Sequence, residues 1–147
     1  MIVTSAALFG WVLAREQAPQ VMSEMILQIT DRPLVFLLLV NILLLIVGAI
    51  LEPTAAILIL VPVLAPIADV YGIDPTHFAV MMIFNLMIGL LTPPVGLVLF
   101  VLSSVTKIPV TQVIKGVLPF FVPMLLVLGV ITFVPLVSTG PPSLVGP

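Results

Sequence analysis

Residues 33–68 read PLVFLLLVNILLLIVGAILEPTAAILILVPVLAPIA, and the single formal charge in the whole stretch is Glu52. Before it, residues 33–51 are apolar apart from Asn41 and Gly48; after Thr54, residues 55–68 are apolar again. A helix needs about 20 apolar residues to cross a bilayer, so the first arm is near spanning length and the second falls somewhat short. Two spanning helices ordinarily need a loop of a few residues in water, and almost nothing connects these arms. A Glu followed by Pro inside one long apolar stretch therefore predicts a helical hairpin over 33–71 with its tip at 48–54. That tip either just reaches the far surface or stops inside the membrane, and length does not choose between the two.

Working outward, the composition agrees with lipid as the solvent. The 147 residues are 62% apolar and 7% charged, where a soluble domain carries roughly a quarter charged residues. In lipid the cost falls on charges and not on apolar side chains. A net charge of -2 argues against a basic nucleic-acid surface. There is no cysteine, hence no thiolate nucleophile, disulfide or Cys-ligated metal. His77 is the single histidine. No Gly-x-Ser-x-Gly, Walker or His-Glu-x-x-His pattern occurs, so nothing points to an enzyme.

The rest of the chain follows the same logic. Residues 1–13 read as the end of a transmembrane helix whose beginning is missing. No positive charge precedes their apolar run, and no small-x-small cleavage site follows it, so they do not read as a signal peptide. In 14–32, Met22, Met25, Ile26 and Ile29 recur at helical spacing, with Gln20, Glu24 and Asp31 opposite. That pattern predicts an amphipathic arm helix at the interface; a soluble loop helix has the same period. Residues 69–75 form a polar turn. Residues 76–105 form a transmembrane helix broken at 89–96, and 106–116, bracketed by Lys107 and Lys115, form a connector. The final span is 117–137, with Pro119, Pro123 and Pro135, and 138–147 is a Pro/Gly tail expected to be disordered. Arg15 and Arg32 balance Lys107 and Lys115 across the membrane, so the positive-inside rule assigns no orientation.

Two interruptions carry the chemistry. At the first, Gly48-Ala49-Ile50-Leu51-Glu52-Pro53-Thr54, one helix ends and another begins. Pro53 suits the first turn of a helix, and Gly48 allows close backbone approach. Helix ends expose carbonyls that can ligate sodium and amides that favour an anion. Glu52 and Thr54 add side-chain oxygens. An intramembrane ionisable residue is functional by default; a plain turn with Glu52 among the headgroups is the other reading. The second interruption is Asn85 followed by Gly89-Leu90-Leu91-Thr92-Pro93-Pro94-Val95-Gly96. Consecutive prolines push the preceding residues out of the helical region and remove helix hydrogen bonds. Broken backbone is tolerated in lipid only where protein or a wet cavity satisfies it, as in transporters built from discontinuous helices. A kink without ligand is the alternative. The candidates for sodium or substrate binding are thus Gly48, Glu52, Thr54, Asn85, Gly89, Thr92, Pro93, Pro94 and Gly96. Ser103 and Ser104 read as helix back-bonding hydroxyls, Asn41 as an interhelical hydrogen bond, and His77 as interfacial.

The stretches GAILEPTAAILILVPVLAPIADVYGIDPTHFAV (48–80) and NLMIGLLTPPVGLVLFV (85–101), in that order and spacing, resemble one family. It is the large membrane subunit of the tripartite ATP-independent periplasmic (TRAP) transporters, of DctM type. Residues 33–48 are similar to it as well, and the likeness covers about residues 10–137. The resemblance implies an all-α integral membrane fold, the half of an elevator-type transporter with a re-entrant hairpin and discontinuous helices. It implies a multi-pass protein of the bacterial inner membrane that imports carboxylates, with sodium as the coupling ion and no cofactor. Its partners would be a small membrane subunit and a periplasmic substrate-binding protein. Glu52 stands where many members have Asp, and its longer side chain shifts any coordinating oxygen. The family's large subunit is roughly three times this length, in two inverted halves. The chain would then hold half a site and need the missing N-terminal half. A truncated, non-transporting piece with a structural role is the alternative, as is a different ion-coupled anion carrier.

Overall fold

The computed structural model describes residues 32–145 apart from Pro94, together with Leu8, Val12 and Arg15. The expected helix end at 1–13 and arm helix at 14–32 therefore lie almost wholly outside the described residues. Over residues 33–145 six helices follow one another: α1 (Pro33–Ile50), α2 (Pro53–Val70), α3 (Pro75–Leu90), α4 (Leu97–Thr106), α5 (Val110–Phe133) and α6 (Pro135–Val145). There is no strand among the described residues.

Proline punctuates this chain. It stands in the first turn of α1, α2 and α3, where a missing N–H costs nothing and the fixed φ is already helical. The residue before each is extended, as the proline ring requires: Arg32 has ψ 118° and Glu52 ψ 137°. Only Leu51 and Glu52 separate α1 from α2. The second arm is longer than its apolar run, because Pro53, Thr54, Asp69 and Val70 are all helical. At its other end Gly72 adopts φ +69°, a left-handed conformation natural to glycine. The Ile73 and Gly72 amides then donate back to the carbonyls of Ala68 and Asp69. Asp74 starts α3 by accepting from the amides of Thr76 (2.8 Å) and His77 (3.1 Å), two donors that a helix N-terminus otherwise leaves open.

Two expectations near the C-terminus change. The connector at 106–116 is short, because α5 begins at Val110 and takes in 110–116. The helix carries on through Pro119 and Pro123 but stops at Phe133, where Val134 precedes Pro135 and is driven to ψ 86°. The segment 138–147, expected as a tail, is helical to Val145 within α6. Pro135 starts that helix. The Ser138 and Thr139 hydroxyls both donate to the Pro135 carbonyl, and Ser138 is buried.

Among the described residues, three helices are long and apolar enough to cross a membrane: α1, α2 and α5. At 1.5 Å per residue an 18-residue helix spans about 27 Å, close to the hydrocarbon thickness. Leu34, Leu38, Ile42, Ile46 and Ile50 form an exposed stripe along α1 at a spacing of four. A water-facing surface would not carry such a stripe, whereas lipid accepts it. The opposite face of α1 supplies Phe36, Leu37, Val40 and Leu44 to a core shared with Ile67 of α2 and with Phe78, Met81, Met82 and Leu86 of α3. α3 is the hub. It packs extensively on α1 and also on α2, while α1 and α2 barely touch each other along their length. Near the open end Phe36 and Tyr71 stack, with centroids 4.8 Å apart and planes 16° from parallel.

Candidate ion- and substrate-binding site

The two interruptions start from one crossing point. Gly48, near the end of α1, lies against Gly89, near the end of α3. A Cβ on Gly89 would stand 2.7 Å from the carbonyl carbon and Cα of Gly48, and one on Gly48 would stand 3.2 Å from the Cα of Gly89. Only two glycines permit backbones so close. Beyond this crossing each chain leaves its helix: α1 through Leu51 into Glu52, and α3 through Leu91 into Thr92.

At the first interruption Glu52 acts as the N-cap of α2. Its Oε2 accepts from the Ala55 amide (3.1 Å) and its Oε1 from the Thr54 hydroxyl (2.7 Å). The Thr54 backbone and hydroxyl, followed by the Ala55 amide, hold the Glu52 carboxyl below the usual carboxylate range, since donors favour the charged form. The carboxylate is exposed. Pro53 is buried beneath it.

At the second interruption the Leu91 and Thr92 amides donate to the Ile88 and Gly89 carbonyls, and the Thr92 hydroxyl donates to the Ile88 carbonyl at 2.9 Å. This tight turn closes α3. Pro93 is exposed, and Pro94 lies outside the described residues. Gly96 adopts φ +52° and begins α4. A Cβ there would stand 2.7 Å from the Leu99 side chain, so glycine serves both the conformation and the space.

Asn85 sits one turn before Gly89 and is fully buried. Its Nδ2 donates to the backbone carbonyl of Asn41 (3.1 Å) and to the Asn41 Oδ1. The Asn41 Nδ2 in turn donates to Thr132 Oγ1 on α5 at 2.9 Å. Asn41 thus makes the interhelical bonds expected of it, with Asn85 and Thr132 as partners. Asn85 presents no exposed surface, and its Oδ1 has no partner among the described residues. Ser104 back-bonds to Val101, whereas Ser103 reaches forward to the Ile108 carbonyl. His77, read as interfacial, is buried within the protein, with Nδ1 2.6 Å from the Ser138 hydroxyl on α6. Thr132 and Ser138 carried no expectation. Thr132 is the lone polar side chain of 117–137, a signal by itself in a spanning helix. Ser138 gave no such signal, lying in a segment read as a tail.

The family model described as "Tripartite ATP-independent periplasmic transporter, DctM component" matches residues 1–137. The chain belongs to this DctM family. The sialic acid TRAP transporter large permease protein SiaM of Vibrio cholerae is 50% identical over 92% of the chain and 32% of its own length. The C4-dicarboxylate TRAP transporter large permease protein DctM of Pseudomonas aeruginosa is 46% identical over 99% of the chain and 34% of its own length. The sialic acid TRAP transporter permease protein SiaT of Haemophilus influenzae is 38% identical over the whole chain and 24% of its own length. The chain thus spans about a third or less of the length of these relatives. It is a membrane protein of a transporter-permease family, as its apolar helices and its relatives both indicate.

Proposed function

We propose that the chain forms part of the large permease of a sodium-coupled carrier for small organic anions. The observation that carries this reading is the Gly48–Gly89 crossing, from which both interruptions depart. The donor set suits sodium, a hard cation: the Glu52 carboxylate, the Thr54 and Thr92 hydroxyl oxygens, and those last carbonyls of α1 and α3 that the Leu51, Leu91 and Thr92 amides do not take. Both hydroxyl protons already point to neighbouring oxygens, so the lone pairs are what remain for a cation. The amino ends of α2 and α4 are the matching places for a carboxylate. Sodium binding would order the 52–54 tip and the 92–94 turn, and so favour the anion-bound state.

In this reading 33–71 is a re-entrant hairpin that moves, elevator-fashion, with the broken pair α3 and α4. Half-helices that meet at the midplane are the usual construction of such sites. The remaining two thirds of the relatives' length would supply the other half of the site. A small membrane subunit would complete the scaffold, and a periplasmic binding protein would deliver substrate in a bacterial inner membrane. The printed names of the relatives, sialic acid and C4-dicarboxylate carriers, favour a carboxylate as cargo. The test is uptake by the complete carrier in proteoliposomes with Thr54→Val and Thr92→Val together. The double variant is expected to need a higher sodium concentration for half-maximal uptake. An unchanged sodium dependence removes these residues from the site.

A further inference from the structure

Helices α4 and α5 run back from one tip, joined only by Lys107, Ile108 and Pro109. The tip is polar, and the helices leaving it are not. Ser103, Ser104, Thr106 and Lys107 close α4, and Thr111, Gln112 and Lys115 are the polar residues of α5 apart from Thr132. At about 1.5 Å per residue the 24 residues of α5 measure about 36 Å, roughly 6 Å more than a hydrocarbon core. The uncharged run from Val117 onward suits that core, which leaves the turns before it at headgroup depth. Lys107 and Lys115 stand there, both exposed.

The hydroxyls of this tip are already committed. Ser103 donates to the Ile108 carbonyl, Ser104 to that of Val101 and Thr106 to that of Leu102. The two ammonium groups are not: neither is ion-paired among the described residues, and residues 75–147 contain no Asp or Glu. No side chain caps the amino end of α5, which adds its own preference for an anion. Between the two helices lies a groove of about 350 Å³, lined by Leu102 and Thr106 of α4 and by Gln112, Val113, Gly116 and Val117 of α5, among others. Thr106 and Gln112 are at its tip end, while Leu102 and Val117 lie a turn or more deeper along their helices. Gly116 keeps the groove open, because no described residue lies within 4 Å of a Cβ added there. Positive charge at headgroup depth, followed by an apolar trough leading into the core, matches the order of groups in an anionic phospholipid. An acidic protein segment would match the charges but not a trough that runs into hydrocarbon.

We propose that the α4–α5 tip binds an anionic phospholipid, with its phosphate held by Lys107 and Lys115 and one acyl chain laid in the groove over Gly116. This site is independent of the sodium reading. The test uses the complete carrier in phosphatidylcholine nanodiscs that contain a trace of phosphatidylglycerol with a photoactivatable diazirine in one acyl chain, and the cross-links are mapped by peptide mass spectrometry. Labelling is expected within 102–117, displaced by unlabelled phosphatidylglycerol and not by added phosphatidylcholine. Lys107→Gln and Lys115→Gln are each expected to lower it about fivefold, and together about thirtyfold, the worth of one and two lysines beside an anionic lipid. Gly116→Leu fills the groove and leaves both charges in place, and is expected to lower it about fivefold or more, the worth of one or two displaced methylenes. Labelling elsewhere on the carrier, unchanged in every variant, reports that the variants are folded. An unlabelled 102–117, the result if another part of the carrier covers the groove, overturns the proposal, as does equal labelling by a phosphatidylcholine probe. Labelling that falls with the lysines but ignores Gly116→Leu means that the charges only gather headgroups, and overturns the groove site. Displacement by glycerol phosphate as readily as by phosphatidylglycerol overturns the lipid as occupant in favour of a free anion.

Discussion

Replacing Gly89 by alanine tests the feature that unites the two interruptions. The added Cβ would lie 2.7 Å from two backbone carbons of Gly48, about 0.7 Å inside the 3.4 Å at which ordinary contact begins, and no flexible side chain is there to yield. Overpacking of this kind costs about 1–3 kcal/mol, and backbone against backbone belongs at the upper end. Alanine returns up to about 1 kcal/mol of helix propensity, so a net loss of ~2 kcal/mol is expected. The same substitution elsewhere supplies the control. No described residue lies within 4 Å of a new Cβ on Gly116 or Gly129 in α5, so Gly129→Ala gains the propensity alone, and Gly89→Ala and Gly129→Ala should differ by ~3 kcal/mol. Gly48→Ala, with its contacts at 3.2 Å, belongs between them, near zero. Unfolding of the purified protein from mixed micelles by increasing dodecyl sulfate, followed by far-UV circular dichroism, ranks the variants directly. A Gly89→Ala variant as stable as Gly129→Ala would refute the close crossing and remove the physical basis for bringing the two interruptions together.

Four further outcomes follow from individual contacts. Ser138→Ala and His77→Phe, combined in a double-mutant cycle, should couple by about 1 kcal/mol, because each loses the same buried bond; additive effects would mean that α6 is not tied to α3 there. Lys107 is a non-glycine residue at φ +59°, so Lys107→Gly should raise stability by roughly 1 kcal/mol in the same titration. Glu52 has a depressed folded-state pKa, so its stabilising effect is present above the ordinary carboxylate range and is lost as pH falls through the folded value. A Glu52→Gln variant should flatten that acid limb, and an unchanged acid limb would show that the cap contributes nothing. Asp74→Ala should fray the start of α3 and cost about 1 kcal/mol, seen as faster hydrogen exchange at the Thr76 and His77 amides.

The sequence on its own determined the solvent and the places where helices stop. Apolar runs with one charge admit only lipid, and Pro53, Pro75 and the Pro93–Pro94 pair act through φ and a missing N–H, which are local properties that no neighbour changes. Tertiary structure decided what those stops face. Nothing in the spacing says that Gly48 meets Gly89, or that the arms of 33–71 lean on α3 rather than on each other, because in a uniformly apolar segment every helix face looks equally suited to burial. The same ambiguity concealed the partners of Asn41 and His77: a polar side chain in such a segment announces that it needs a hydrogen bond, and only packing chooses Asn85, Thr132 and Ser138 to provide it. Helix α6 was illegible for the opposite reason. Its Pro, Gly and Ser residues favour no helix locally, and it is a buried serine bond to α3 that accompanies its order.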